Sequence, residues 1–306
     1  MAVVARPFQA ADTAALVAVH NAVDEAAGRA PSLTAERLAA SPAAPDVCRW
    51  VAVAPDRAGE VVGYGVLLRQ NVDRCYADLR VHPAWRRQGV GGRLLAEIAA
   101  QAQAWRARWL TIDVDAANQD ALRFLLTQGF RYRGDTWALL APADIAFSSP
   151  AWPVGYTART YAEAGTLPLL VEVSNRGFGD MWGHWENSPG LVDEAHMAHT
   201  LEQFDAAGIF LVFDASGAAV AHCRTIAAGD AEQPHILDEP GIVPEHRAAG
   251  LHAPLVLTAA HWLRAQGERP IRLESWGDTA DTVALYTSLG FTLIEHEVSY
   301  VRELTQ

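Results

Sequence analysis

The chain has 306 residues, of which 50% are hydrophobic and 20% charged, a balance typical of a globular protein of about two domains. Its 24 basic residues are all arginine, and 36 acidic residues bring the net charge to −12. The lack of lysine excludes Schiff-base, pyridoxal-phosphate and P-loop chemistry, because each needs that side chain. The negative charge argues against a nucleic-acid partner.

The cysteines and the hydropathy pattern predict the cellular location of the protein. Cys48, Cys75 and Cys223 are odd in number and widely spaced, so neither a disulfide scaffold nor a zinc ribbon is predicted. No apolar run approaches the roughly 18 residues of a membrane helix. His196 and His199 share a helical spacing without an evident third ligand, so no metal is expected. We therefore expect a cytoplasmic protein without a membrane partner.

Strand and helix signals alternate along the chain. In the first half we predict strands at 50–54, 61–68 and 76–81, a helix at 94–102, a strand at 110–114 and a helix at 119–127. In the second half we predict strands at 210–213, 220–226 and 236–243, a helix at 255–265, a strand at 271–275 and a helix at 281–288. This order favours an α/β (α+β) fold, a mixed sheet with helices packed on it.

The two halves are repeats of each other. The matching residues, 161 positions apart, are Arg86 with Arg247, Gly89 with Gly250, and Gly129-Phe130 with Gly290-Phe291. Nearer the start, residues 4–8 resemble 157–161 at an offset of 153, so the second copy is longer ahead of these motifs. Repetition predicts tandem domains at 1–145 and 154–306. The prolines near 146–153 mark the linker.

The stretch from Arg86 to Gly92 carries the first chemical signal. Its glycines stand where a strand gives way to a helix, so backbone N–H groups can face an anion without a Cβ between them. The helix dipole also favours negative charge there. The loop is therefore a candidate anion site, with a plain strand-to-helix turn as the alternative. Its spacing does not fit the G-x-G-x-x-G motif of dinucleotide sites.

The pattern Arg86-x-x-Gly89-x-Gly91 resembles the phosphate loop of the GNAT superfamily of acyl-CoA N-acyltransferases, and Asn118 and Gly129 fit the family's next element. The resemblance covers nearly the whole chain as two tandem GNAT-like units, an arrangement also seen in mycothiol synthase-like proteins. It implies that each unit is a mixed, mostly antiparallel sheet with helices on both faces and a splayed pair of parallel strands.

The same resemblance implies an activity and a cofactor. The chain would transfer an acetyl group from acetyl-CoA, a co-substrate, to a primary amine of a small molecule by direct attack in a ternary complex. A catalytically silent acyl-CoA-binding or scaffold protein is the alternative, and a monomer and a homodimer both remain open. The residues expected to contact the cofactor are Leu79, Val81, Arg86, Arg87, Gln88, Gly89, Val90, Gly91, Gly92, Arg93, Asn118, Val243, Arg247, Gly250 and His252.

The two copies differ at the acid that the family uses for the leaving thiolate, a tyrosine four residues before the Gly-Phe pair. The second copy has Tyr286 there, whereas the first has Leu125, which cannot donate a proton. A phenol, with a pKa of about 10, can protonate a thiolate. The second loop in turn has His252 where the family has glycine or alanine. We expect catalysis in the second copy and acyl-CoA binding or structural support in the first, with the reverse assignment open.

Two further groups of residues complete the expected site. Glu239 and Glu274 are the candidate bases, and ion-pair partners are the alternative interpretation of such strand-end carboxylates. An aromatic segment of the second copy should bind the amine through cation–π and ionic contacts, unless it packs over the sheet edge instead. Its candidate acceptor-binding residues are Trp182, His184, Trp185 and Glu186.

Overall fold

The computed structural model describes residues 3–40, 45–57, 59–70, 72–181, 192–230, 232–276 and 279–304, except for the side chains of Glu239 and Trp276. The chain divides into two compact units. Unit 1 is Met1–Arg133 with Ser299–Gln306, and unit 2 is Gly134–Val298. Within the described residues, no helix combines the length and the hydropathy that crossing a membrane requires.

Unit 1 is a mixed sheet with helices on both faces. Its elements are β1 (Val4–Pro7), α1 (Thr13–Ala26), α2 (Ala35–Ala40), β2 (Val47–Ala54), β3 (Glu60–Arg69), β4 (Arg74–Val81), α3 (Val90–Ala104), β5 (Trp109–Asp115) and α4 (Gln119–Thr127). The strands follow the order β1-β2-β3-β4-β5, and the C-terminal part of β12 (Thr292–Glu303) lies beside β5. Neighbours up to β4 are antiparallel, whereas β4 and β5 are parallel.

Strand β3 separates α1 from α3. Because side chains alternate along a strand, Tyr64 points to one face while Gly63 and Gly65 lie on the other. The ring of Tyr64 stacks on His20 of α1, with centroids 6.1 Å apart. A Cβ on Gly65 would lie 2.8 Å from Cδ1 of Ile98 in α3. The glycines thus let α3 pack directly on the strand.

The parallel strands of unit 1 are paired at one end only. The paired residues are Arg74 with Trp109, Cys75 with Leu110, and Tyr76 with Thr111. Beyond Tyr76, β4 continues to Val81 with its pairing to β3 intact. Strands β4 and β5 therefore diverge toward their C-terminal ends, which is the splayed pair that the sequence predicts.

Unit 2 repeats this plan. Its elements are β6 (Arg131–Ala141, from Gly134 onward), β7 (Thr157–Thr160), α5 (Tyr161–Ala164), α6 (Leu167–Phe178), α7 (Glu194–Leu201), β8 (Phe210–Phe213), β9 (Ala219–Ile226), β10 (His235–Ile242), α8 (His252–Gln266), β11 (Ile271–Trp276), α9 (Ala280–Ser288) and β12 as far as Val298. The strand order is β6-β11-β10-β9-β8-β7. Parallel pairing of β10 with β11 ends at Leu237 and Leu273, and the register of β10 against β9 shifts between Asp238 and Gly241.

Helix α6 packs closely on β10 at Gly241. A Cβ on Gly241 would lie only 2.6 Å from Cζ of the buried Phe178 in α6. A Cβ on Gly177 would lie 3.6 Å from the carbonyl carbon of Gly241, which is an ordinary van der Waals distance. The missing side chain of Gly241 therefore makes room for the Phe178 ring.

Helices α6 and α8 cover opposite faces of β9. On one face the ring of His222 meets Phe178 of α6, with centroids 5.6 Å apart. On the other, Thr225 donates a hydrogen bond to the Gly208 carbonyl (2.7 Å), beside Trp262 of α8. Both faces contribute to the buried apolar core of unit 2.

The predicted order of elements is confirmed in both halves, and the strand at 210–213 and the helix at 119–127 have the predicted bounds. The sequence did not indicate β1, β6, β7 or β12. Residues 134–145 lie in unit 2, so most of β6 is not grouped with the first repeat, and β12 is divided, with residues 292–298 in unit 2 and its C-terminal part in unit 1. Domains at 1–145 and 154–306 with a linker at 146–153 stay a prediction.

A fragment of residues 1–145 tests that prediction. It lacks Leu304, whose N–H donates to the Arg108 carbonyl (2.8 Å), and the buried Tyr300 and Val301. An unpaired edge on β5 and newly exposed apolar surface should destabilise the fragment. We expect the fragment to melt at a lower temperature than the intact chain, or to aggregate. Thermal melts followed by circular dichroism measure the difference. A fragment that melts as the intact chain does would support a domain boundary at 145.

Gly241→Ala tests the close contact of α6 with β10. The added methyl group would overlap the Phe178 ring, which is packed in the core, and we expect a loss of about 1–3 kcal/mol in the free energy of unfolding. Gly229→Ala is the matched control, because a Cβ there has nothing within 4 Å. Denaturant titration of both variants measures the difference. Equal stability would show that the Phe178 ring is not tightly packed on Gly241 in solution.

Candidate functional site

The loop after β4 leaves a helix N-terminus open to solvent. Gly89, the residue before α3, has a φ of 80°, in the left-handed region that favours glycine, and no side chain caps the helix there. Residues 86–89 are exposed. The first N–H groups of a helix have no partner within it, so those of α3 are available to an anion.

Only some of the side chains around this loop make hydrogen bonds or ion pairs. Gln88 donates to the Ala84 carbonyl (3.1 Å), and the Arg87 guanidinium lies 3.9 Å from Asp120. Arg86 is exposed, and among the described residues its side chain makes no hydrogen bond or ion pair. It is therefore the arginine of this loop with most freedom to meet an incoming phosphate.

Two glycines at the start of α3 have different surroundings. A Cβ on Gly91 would lie 3.3 Å from Cζ of Phe124 in α4, whereas one on Gly92 would have open space. A side chain at Gly91 would therefore be tight against Phe124, whereas Gly92 leaves the helix N-terminus accessible. The other predicted cofactor residues of unit 1 are the half-buried Leu79 and Val81 on β4, the buried Val90, the exposed Arg93, and Asn118, which caps α4 by accepting from the Ala121 N–H (3.1 Å).

The second loop keeps the left-handed glycine of the first, although its 3₁₀ helix is longer, Pro244–Ala249 against Pro83–Trp85. Gly250 has a φ of 75°, close to that of Gly89, and follows the buried Val243 by one short 3₁₀ helix. Helix α8 then begins at His252 and has Pro254 as its third residue. Since proline has no N–H, this helix offers one donor fewer to an anion than α3 does.

Arg247, the counterpart of Arg86, is engaged by its own unit. Its Nη1 and Nη2 atoms each donate to one Asp180 oxygen at 2.6 Å. Nη2 also donates to the Gly177 carbonyl (2.9 Å), and Nε to the Ile242 carbonyl (3.1 Å). Hydrogen bonds from Arg247 hold the pKa of Asp180 below its usual value. The two loops therefore share a left-handed glycine but differ in the contacts of their arginine.

Tyr286 is a buried residue of α9 beside the second loop. Its ring meets that of His252 nearly edge-on, with centroids 6.5 Å apart and planes at 72°. His252 is the first residue of α8, so the phenol lies close to the helix N-terminus where the loop ends. The structure thus brings two of the predicted site residues together.

The candidate bases are placed differently. Glu274 is exposed on β11 and accepts a hydrogen bond from Nε of Arg272 (2.8 Å). Glu239 lies on β10 within the stretch where the register against β9 shifts, and its side chain is outside the described residues. The predicted acceptor residues Trp182, His184, Trp185 and Glu186 are also outside the described residues.

Unit 1 contains a polar cluster between α1 and the sheet that sequence reasoning missed. Asp24 is buried; it accepts from Ser32 Oγ (2.6 Å) and Arg80 Nη1 (2.9 Å). Nδ1 of His20 lies 2.7 Å from the Tyr64 hydroxyl, and its Nε2 lies 2.8 Å from Ser32 Oγ. The i,i+4 spacing of His20 and Asp24 on α1 was the one sequence signal for it.

The surroundings of Asp24 keep this buried carboxylate ionised. Burial opposes ionisation of Asp24, but the Ser32 hydrogen bond and the charges of His20 and Arg80 outweigh it, so the Asp24 pKa lies below its usual value. Burial, followed by the charge of Arg80, lowers the pKa of His20. The cluster therefore fixes α1 on β4 with an ionised carboxylate at its centre.

The matching place in unit 2 is apolar. Gly241 stands 161 residues after Arg80, and its partner on β9 is His222, as Tyr64 is the partner of Arg80. His222 is fully buried, and among the described residues neither ring nitrogen has a hydrogen-bond partner. Burial lowers the pKa of His222 to about 3, so the ring is neutral near pH 7.

The chain is similar in sequence to known acetyltransferases. A family model described as "Acetyltransferase (GNAT) family" matches residues 18–130. A mycothiol acetyltransferase of Saccharomonospora viridis is 31% identical over 256 residues, which cover 80% of this chain and 80% of that protein. One of Rhodococcus opacus is 30% identical over 304 residues, covering 96% of this chain and 95% of its own.

Solved structures share the fold over the whole chain. A GCN5-related N-acetyltransferase from Sphaerobacter thermophilus has a TM-score of 0.78 at 20% identity, covering 99% of this chain and 96% of that one. A tandem GNAT protein from the clavulanic acid biosynthesis pathway has a TM-score of 0.63 at 20% identity and covers 100% and 99%. With relatives at 30% identity over nearly the full length, the chain belongs to the GNAT family of acetyltransferases.

Proposed function

We propose that this acetyltransferase uses acetyl-CoA and acetylates a primary amine of a small molecule. The observation that carries the proposal is the divergence of each parallel strand pair directly before a left-handed glycine and an open helix N-terminus. A gap between strands suits an extended pantetheine chain, and the helix N-terminus suits a pyrophosphate. We assign acetyl-CoA binding to both units and chemistry to unit 2.

In unit 1, the N–H groups that begin α3 would hold the pyrophosphate, and the exposed Arg86 would contact it. Leu79 and Val81 lie on the part of β4 that has left β5, where the pantetheine would run. Leu125, four residues before the pair Gly129-Phe130, is buried, and its side chain cannot act as an acid. We therefore give unit 1 a role in binding acetyl-CoA and none in the reaction.

In unit 2, the amine would attack the thioester carbonyl while both substrates are bound. The C–N bond forms first, and a backbone N–H released by the register shift in β10 would hold the oxyanion. As the C–S bond breaks, the thiolate would take the phenol proton of Tyr286, and a carboxylate would take the proton of the ammonium. We assign that base role to Glu239 ahead of Glu274, because Arg272 already binds Glu274.

The acceptor would enter on the α6 side of the sheet. The aromatic and acidic residues Trp182, His184, Trp185 and Glu186 follow α6 directly and suit an ammonium group. The relatives carry the name mycothiol acetyltransferase, so the des-acetyl form of mycothiol is the first acceptor to test. We propose a cytoplasmic monomer or homodimer that uses no metal and has neither nucleic-acid nor membrane partners.

Gly92→Glu tests acetyl-CoA binding in unit 1. The substitution adds a carboxylate where a Cβ has open space, at a helix end where glutamate is well tolerated, so the fold should persist while the phosphates are repelled. We expect calorimetric titration to lose one acetyl-CoA site or to weaken it at least about tenfold. Gly92→Gln is the neutral control, with an affinity near that of wild type.

Ala253→Glu and Ala253→Gln make the same comparison in the second loop, since Ala253 stands 161 residues after Gly92. Loss of all binding in Gly92→Glu, with no effect of Ala253→Glu, would leave unit 1 as the site of acetyl-CoA. The assignment of chemistry to unit 2 would then be wrong.

Tyr286→Phe tests the proposed acid. The variant keeps the buried ring but cannot protonate the thiolate, so we expect kcat to fall by about 10²–10⁴-fold with little change in acetyl-CoA affinity. Release of free thiol from acetyl-CoA with a panel of amines measures the rate. Tyr161→Phe, a half-buried tyrosine elsewhere in unit 2, is the control. Turnover of Tyr286→Phe at the rate of this control would exclude the acid role.

A further inference from the structure

Helix α9 ends in a motif that holds the backbone of Tyr286. Gly290 has a φ of 105°, and its N–H donates to the Thr287 carbonyl (3.0 Å), while the N–H of Phe291 donates to the Tyr286 carbonyl (3.2 Å). These two bonds form a Schellman motif, in which the residue after the left-handed glycine binds the carbonyl of the third-last helical residue. Tyr286 and Phe291 are both buried in the core of unit 2. The position of Tyr286 therefore depends on what holds Gly290 and Phe291.

The segment that follows β6, residues 142–148, packs on this motif. Its residues Ile145 and Phe147 are half-buried, whereas their neighbours along the segment are exposed. A Cβ on Gly290 would overlap Cδ1 of Ile145, so the absence of a side chain there lets Ile145 lie against the end of the helix. The Phe147 ring lies against that of Phe291, with centroids 5.7 Å apart. The segment thus contacts both residues whose N–H groups close α9.

The same segment is fastened to α8. Nε2 of His261 donates to the Ser148 carbonyl (2.9 Å), and the Arg264 guanidinium donates to the Pro142 carbonyl. That guanidinium also lies over the Phe147 ring, 5.5 Å from its centroid. Both ends of the segment are therefore bound to one helix, and its middle packs on the end of the next.

Unit 1 has the same motif with a different cover. The N–H of Phe130 donates to the carbonyl of Leu125 (3.1 Å), which stands where unit 2 has Tyr286. Here the side chain of Arg302 covers the motif. Its guanidinium lies over the Phe130 ring, 5.0 Å from the centroid, and its Cδ would be 3.9 Å from a Cβ on Gly129. The closer, apolar cover is found in the unit whose motif carries a phenol.

We propose that Ile145 and Phe147 are positioning residues for the proton transfer from Tyr286. The inference rests on the proposed function, in which the phenol O–H bond breaks as the S–H bond of the leaving thiol forms. Two contacts would fix the phenol: its ring meets that of His252, and its backbone is held by Phe291, against which Phe147 packs. Loosening the second contact would let the end of α9 shift, and a displacement of about 1 Å can slow a reaction about 100-fold.

Phe147→Leu and Ile145→Ala test the proposal, because each keeps an apolar side chain in a half-buried place. Arg302→Gln is the matched control, since it alters the cover of the same motif in unit 1. Steady-state thiol release gives kcat and the KM of each substrate. We expect each of the first two variants to lower kcat about tenfold, with both KM values within about twofold of wild type. The control should change neither.

The sharpest comparison is made in the background of Tyr286→Phe. That variant lacks the proton donor that the segment would position, so adding Phe147→Leu should lower its residual kcat by less than about twofold. A purely structural role would lower kcat by the same factor in both backgrounds, and that result overturns the proposal. If Tyr286→Phe turns over as fast as wild type, the acid role fails and the positioning role fails with it.

Fluorine NMR separates this proposal from the proposed function. The seven tyrosines are replaced by 3-fluorotyrosine, and the signal of Tyr286 is the one missing from Tyr286→Phe. We expect this signal to move or broaden in Phe147→Leu and to stay in place in Arg302→Gln. If the wild type releases no thiol with any amine, the proposed function fails. The NMR comparison then still decides whether the segment holds the ring: an unmoved Tyr286 signal in Phe147→Leu refutes positioning, and a displaced one supports it.

Discussion

The site in each unit depends on parallel pairing that stops after three residue pairs. Hydrogen bonds hold Arg74–Tyr76 to Trp109–Thr111, and His235–Leu237 to Ile271–Leu273, and then the strands part. Because β4 and β10 stay paired with their antiparallel neighbours, divergence leaves backbone groups facing a gap without loosening the sheet. In each unit the strand that leaves its parallel partner leads into the loop with a left-handed glycine and then into a helix.

Two copies of one fold meet the same packing requirement in different ways. Between helix and strand, unit 1 buries the ionised Asp24 with Arg80, whereas unit 2 packs the Phe178 ring of α6 against Gly241. Burying an ion pair requires that nearly every polar atom find a partner, and Ser32 and His20 supply partners here. An apolar ring packed on a glycine makes no such demand.

Local signals in the sequence predicted the elements that depend on local physics. Gly89 and Gly250 adopt positive φ as their motif requires, and the strand at 210–213 follows from its run of large apolar residues. The strands beside which β12 lies could not be predicted, because the alternation of side chains along a strand does not indicate its neighbours in the sheet. The direction of the Arg247 side chain was also beyond the motif, since its partner Asp180 lies outside the repeat pattern. The Asp24 cluster needed the register of β3 and β4 before its residues could be brought together.

The assignment of residues 299–304 to unit 1 has a consequence for synthesis of the protein. Domains at the start of a chain usually fold while the ribosome is still adding later residues. Here the edge of β5 cannot be completed until the ribosome has made all of unit 2, Gly134–Val298, and passed beyond it. During that time the first unit would present an unpaired strand edge, which is the kind of surface that chaperones and other nascent chains recognise. The path of the chain therefore makes the completion of unit 1 one of the last events in synthesis.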